Sequence, residues 1–375
     1  MQKRILILGL VLLTGVIALA CAASTQAQRG ESSSGWTKTP AQVATSDYKI
    51  SGPYTHKNLT VFLIHGDNKA NGKTPLTLQE AMEQKKVVVH ETSEVNELAI
   101  ENKSDDEVFV QAGDIVKGGK QDRVLALDMI VPARSGRIPI DSFCVEHGRW
   151  QQRGGEAAAA FGSSDQMLNH KDLKIAAKSA KSQTEVWDKV AESQAKLSKN
   201  VAVAASPAVG YGGSGRGGAG VAETVNVTSS VSRSSLQLTL ENKQVKDTSG
   251  EYIKALAAIV AGKNDVIGYA FAINGQINSA DVYSSHALFA KLWSKMLKAS
   301  AIEAIAEFDK SDKAETVTAD AIKGFLAEAE TGKAEAKQLT PRMTMVKSES
   351  EKNLFFETRD RKRGDEWLHR NYLKK

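Results

Sequence analysis

The sequence predicts an α+β protein: an N-terminal antiparallel β-rich unit over residues 48–150, then a mainly helical part over 151–375 that carries a β-hairpin. Three observations carry this. Short apolar runs crowd residues 59–146 with no room between them for crossover helices, a spacing that calls for antiparallel pairing. Stretches rich in Ala, Lys, Gln and Glu, all good helix formers, come next. Further on, Asn274-Gly275 joins two apolar-alternating arms, the strongest short hairpin signal.

Taken in order, the chain begins with a leader. Lys3 and Arg4 precede the apolar run Ile5–Leu19, and small residues follow, which is the layout of a secretory signal over residues 1–27. The run is too short for a membrane anchor of about twenty residues. Ala18-Leu19-Ala20 and Thr25-Gln26-Ala27 both offer cleavage sites, so soluble export to the periplasm or the extracellular space is expected. The alternative is a lipoprotein anchored at Cys21. Residues 28–47 read as a flexible lead-in. No other apolar span reaches eighteen residues, so no transmembrane segment is expected once the signal is removed.

Leu59–His65 reads as a buried strand closed by Gly66-Asp67-Asn68, and Thr77 with Glu80 forms a capping box for a short helix. Strands are expected at Val87–Glu91, Glu97–Glu101, Glu107–Ala112, Arg123–Val131 and Arg137–Glu146. Helix is expected at Ala157–Ala160 and Ala176–Lys199, followed by a glycine-rich loop at 210–220. Thr248 and Glu251 suggest a capping box for a helix over 251–261, stopped by Gly262. Past the 274–275 hairpin, Leu288, Phe289, Leu292, Trp293, Met296 and Leu297 recur at helical spacing. A further helix starts at Thr318 and stops at Gly332, and Phe355–Leu368 reads as another hairpin.

Composition narrows the function classes. Among 375 residues, 41% are apolar and 25% charged, with only two cysteines. The core must therefore form without disulfides. The formal net charge of +5 is too mild over this length to indicate a nucleic-acid partner.

Two polar segments stand inside strand-like sequence: Gly118-Gly119-Lys120-Gln121-Asp122-Arg123 and Cys144-Val145-Glu146-His147-Gly148-Arg149-Trp150. Period-two geometry puts Cys144 and Glu146 on one face of a strand, with Val145, His147 and Arg149 on the other, and Gln121 with Arg123 on a shared face. If the strands are neighbours, a guanidinium, an amide, a thiol and a carboxylate converge. Arg123 and Lys120 would then engage an anion, Gln121 would orient it, Glu146 would fix the arginine rotamer, and Arg149 and Trp150 would complete the ligand-binding set. The competing readings are a hydrolase or transferase with Glu146 as general base, Cys144 as a possible nucleophile and Arg123 stabilising negative charge, or a structural envelope protein built on an internal Arg123–Glu146 ion pair around an inert Cys144.

Other chemistries fail on spacing. Gln121 stands where a P-loop needs Ser or Thr. No histidine pair has metal-ligand spacing, so no metal is expected, nor any other cofactor. No Gly-x-Ser-x-Gly elbow occurs.

The two segments together resemble a bacterial family, the ARG-and-rhodanese-phosphatase-superfamily-associated protein domain, formerly a domain of unknown function. The resemblance extends over most of residues 48–300, including the Asn274-Gly275 hairpin and the helix after it. It implies ligands related to nucleotides or ADP-ribose, through the association of the family with ADP-ribosylglycohydrolases and rhodanese-like phosphatases. The leading expectation is an exported domain that binds a small anionic or polar ligand, or a partner, through the KQDR/CVEHGRW face.

Overall fold

The computed structural model describes residues 47–69, 72–180, 182–206, 224–309 and 316–375. The leader, Cys21, nearly all of the lead-in and the glycine-rich segment 210–220 lie outside the described residues.

In chain order the elements begin β1 (Lys49–His56), β2 (Leu59–His65), β3 (Leu76–Thr77), α1 (Leu78–Glu83), β4 (Val87–Glu94), β5 (Glu97–Asn102) and β6 (Val108–Val110). They continue with β7 (Ile115–Gly118), β8 (Arg123–Leu125), β9 (Met129–Val131), β10 (Arg137–Cys144) and β11 (Phe161–Gly162). The helices α2 (Lys171–Ile175), a π-helical turn (Ala176–Ala180), α3 (Gln183–Ala205), α4 (Leu236–Leu240) and α5 (Lys243–Leu256) follow. The rest is β12 (Val266–Ile273), β13 (Gln276–Tyr283), α6 (His286–Ala306), α7 (Ala319–Glu330), β14 (Lys333–Gln338), β15 (Met343–Glu349), β16 (Asn353–Asp360) and β17 (Glu366–Lys374). The fold is α+β.

Eight strands form one antiparallel sheet in the order β1-β2-β12-β13-β17-β16-β15-β14. It draws on both sides of residue 150, because β2 pairs with β12. Alternation assigns its two faces. Leu59, Val61, Leu63, Tyr269, Phe271 and Tyr283 join the main core with α5 and α6. Phe62, Ile64, Ala270, Val282, Phe355 and Tyr372 pack on the other face against Ile322, Phe325 and Leu326 of α7. A six-stranded sheet, β11-β7-β8-β10-β5-β4, and a small sheet, β3-β6-β9, complete the β structure.

Local signals explain most boundaries. Thr77 and Glu80 make the reciprocal capping box at α1, and Thr318 caps α7. Asn274 (φ 51°) and Gly275 (φ 72°) turn the β12–β13 hairpin as two positive-φ residues must. Three expectations need correction. Ala157–Ala160 is not helical: Ala160 bridges His90 and leads into β11. Helix α5 begins at Lys243 with Asn242 as its cap, so Thr248 and Glu251 sit inside it. The 123–131 segment is two strands in different sheets, split at Asp128. No helix among the described residues is long and apolar enough to cross a membrane.

Candidate functional site

The two polar segments do meet. Strand β8 pairs with β10, with Arg123 directly opposite Cys144. The meeting place is closed, however: Gln121, Asp122, Arg123, Cys144 and Glu146 are all buried. The Arg123 guanidinium is held by the carbonyls of Val95 and Glu94 and lies 3.7 Å from Glu91 Oε1, with the Trp150 ring 5.6 Å away. Glu146 is not its partner. Strand β10 stops at Cys144 and Gly148 (φ 86°) turns the chain, so the period-two expectation lapses and Arg149 folds back onto Glu146. Arg149 Nε and Nη2 each donate to Glu146 at 2.7 Å.

A second arginine, just past the segment singled out from the sequence, completes the cluster. Arg153 grips Asp122 with bonds of 2.8 and 2.9 Å, and Asp122 also accepts from Ser235 Oγ and the Gly118 amide. Such fork-to-carboxylate geometry is what makes a buried charge tolerable. Burial opposes ionisation of Glu146, but hydrogen bonds from Arg149, Ser232 and the Asp122 amide outweigh it and hold the carboxyl below its usual range. That is the opposite of a poised general base. Burial pushes the Cys144 thiol up to about 11, so it is no nucleophile at neutral pH. Gln183 ties down both the amide and the carbonyl of Cys144 at 2.8 Å. Only the rim is open. Trp150 is 44% exposed, and Lys120 Nζ sits 5.2 Å over its ring and 3.0 Å from Ser93 Oγ.

A second polar centre, unmarked in the sequence, lies between the main sheet and α2. His369 of β17 and Asp281 of β13 point to the same sheet face, opposite to Arg370 and Tyr372. His369 Nδ1 lies 2.9 Å from Asp128 Oδ2 and its Nε2 3.1 Å from Asp281 Oδ1. Both ring nitrogens therefore face carboxylates, an arrangement only the imidazolium satisfies. Burial works against that charge, but Asp128 and Asp281 together raise the histidine above its ordinary value. Both acids are held low: burial opposes them, while Lys178 and His369 outweigh it at Asp128, and His369 and Lys174 at Asp281. Asp128 also accepts from the Ala112 amide and Thr358 Oγ1. The imidazole stacks on Tyr283 at 4.5 Å.

Two lysines close this centre from above. Lys174 on α2 and Lys178 on the π-helical turn are 8% and 6% exposed. Lys178 Nζ donates to Asn371 Oδ1 at 3.1 Å, and the Asn371 amide donates on to Asp281. Lys174 Nζ has no hydrogen-bond or ion-pair partner among the described residues. Both lysines line a cavity of about 10 Å³, with Gly113, Leu168, Asp281 and Asn371 around it. That is room for about one water-sized group. Two carboxylates thus face three cations, His369, Lys174 and Lys178, and the enclosed centre carries a positive excess. π-helical turns tend to occur where a helix is distorted for a purpose. Among the described residues no group of His, Cys, Asp and Glu is arranged to hold a metal ion.

Neither the curated proteins nor the solved structures contain a match to the chain. The model of one domain family does match, over residues 47–373, which extends the likeness well beyond residue 300 to the last strand. By that match the chain belongs to the ARG and Rhodanese-Phosphatase-superfamily-associated Protein domain family.

Proposed function

We propose that the protein is exported by its N-terminal leader and binds a small anionic ligand, whose charged end enters the cavity between Lys174 and Lys178. The observation that carries this reading is Lys174: a side chain only 8% exposed that lines the cavity and has no hydrogen-bond or ion-pair partner among the described residues. A buried cation is costly unless something neutralises it. The cavity admits one small group, so a carboxylate or phosphate oxygen enters while the body of the ligand stays outside. The closed KQDR/CVEHGRW face then serves as a clasp that ties the six-stranded sheet to the 149–156 loop and α4, with Trp150 and Lys120 at its rim.

The test is a titration of chloride, acetate, phosphate, ADP-ribose and nucleoside diphosphates, read by thermal shift. The wild type should show an upward shift that grows with concentration for at least one anion, as ligand linkage requires. Lys174→Met and Lys178→Met should fold and lose that shift. A flat response across the panel, or a shift that survives both substitutions, removes the proposal.

A further inference from the structure

On the outer edge of the eight-stranded sheet, away from both centres above, three side chains line up. Ser51 Oγ lies 2.7 Å from His65 Nε2, and His65 Nδ1 lies 3.0 Å from Asp265 Oδ2. They come from three different segments. Ser51 is on β1 and His65 ends β2, while Asp265 stands just before β12, whose Val266 pairs with His65. The order is hydroxyl, imidazole, carboxylate: the Ser51–His65 contact is a hydrogen bond, whereas Asp265 meets the ring as an ion-pair contact outside hydrogen-bond geometry, an arrangement one small turn of the ring short of the one that activates a nucleophilic serine.

The surroundings suit that chemistry. His65 and Asp265 line an open cleft of about 520 Å³, in which Lys49, Lys69 and Trp367 also take part. Ser51 is half-buried and lies outside the lining of the cleft, joined to it through His65. A bulge between Ser51 and Tyr54 breaks the pairing with β2 where the serine sits, and bulges recur where a side chain must be re-aimed. Lys49 is the register partner of His65 across the two strands and so presents its ammonium on the same face. The carboxylate of Asp265 is held below its usual range, first by its close contact with His65, and so stays ionised beside the ring.

We propose that Ser51, His65 and Asp265 form an acyl-transfer site that hydrolyses small carboxylic esters. Ser51 Oγ attacks the ester carbonyl carbon while its proton passes to His65 Nε2. Collapse of the tetrahedral intermediate breaks the carbon–oxygen bond to the leaving alcohol, which takes that proton. Water then attacks the acyl-serine and gives its proton to His65. The carboxylic acid departs and Ser51 recovers its proton, so ester and water become acid and alcohol. Lys49 supports the oxyanion in both halves. Ser51 and His65 are the catalytic residues, and Asp265 is a positioning residue.

The experiment uses the full chain with a fluorophosphonate probe and p-nitrophenyl acetate. Peptide mapping of the wild type should find the probe on Ser51, and hydrolysis should be lost in Ser51→Ala and His65→Gln with melting unchanged. Asp265→Asn should lower kcat about 10-fold or more and leave KM near the wild-type value, a split that a merely structural role would not give. A wild type that takes no label, or a label that maps elsewhere, overturns the proposal without any variant. This outcome is independent of the lysine cavity, which shares no lining residue with the cleft.

Discussion

Replacing His369 with phenylalanine keeps a flat ring against Tyr283 but removes the charge between Asp128 and Asp281. Two carboxylates would then share a buried site without their common partner. Breaking a buried ion pair from one side costs about 3–5 kcal/mol. The two charge-assisted hydrogen bonds, at about 1.5–3 kcal/mol each, give a similar range. Urea unfolding of the wild type and His369→Phe at pH 6 should show that loss as a lower midpoint with an unchanged slope. The pH dependence follows from the directions of the shifts. His369 is raised, so its contribution is complete below about pH 6.5 and fades as pH rises through its folded value. Asp128 and Asp281 are lowered, so theirs is present above about pH 3.9 and fades as pH falls towards their folded values. The gap between the two proteins should be widest from about pH 4 to 6.5 and should narrow in acid. A loss under about 1 kcal/mol at pH 6, or a gap that does not narrow in acid, would refute the assignment of a buried imidazolium.

Two further outcomes are expected. Arg153→Met strands Asp122, which is fully buried, and should cost about 3–5 kcal/mol in the same unfolding assay; a near-neutral variant would mean that Arg149 alone can neutralise both acids. In a chain carrying Cys21→Ser, the Cys144 thiol should resist a thiol-specific disulfide reagent at pH 8 until denaturant is added, whereas prompt reaction of the native protein would contradict its burial.

What the sequence made legible was whatever depends on near neighbours. Thr77 with Glu80, the Asn274-Gly275 turn and the Thr318 cap are local devices, and each works where it was expected. The pairing of the KQDR and CVEHGRW segments was also foreseeable, because two strands with buried polar residues need each other. Which charges would pair was not. Glu146 turned to Arg149 because the strand ended two residues before it, and Asp122 found Arg153, past the segment singled out. The lysine cavity draws on residues 112–113, 174–178, 281 and 371, a convergence that no spacing rule announces. Lys174 and Lys178 look like ordinary residues of a polar helix, and only their closure under the sheet gives them meaning. The 333–349 strands were missed because the polar run of β14 resembles a solvated edge, which is what it is.

The order of strands in the large sheet has a consequence for how the chain reaches its native state. Hairpins such as β1–β2, β12–β13 and β16–β17 can zip up on their own, since each joins residues that are close in sequence. The seams between them are another matter: β2 must wait for β12, about 200 residues on, and β13 for β17, about 90 residues on. Closing such distances dominates the kinetic barrier. Refolding should therefore run through a stage in which ready-made hairpins drift with their flanks unpaired, and that stage is when the protein is most exposed to clumping.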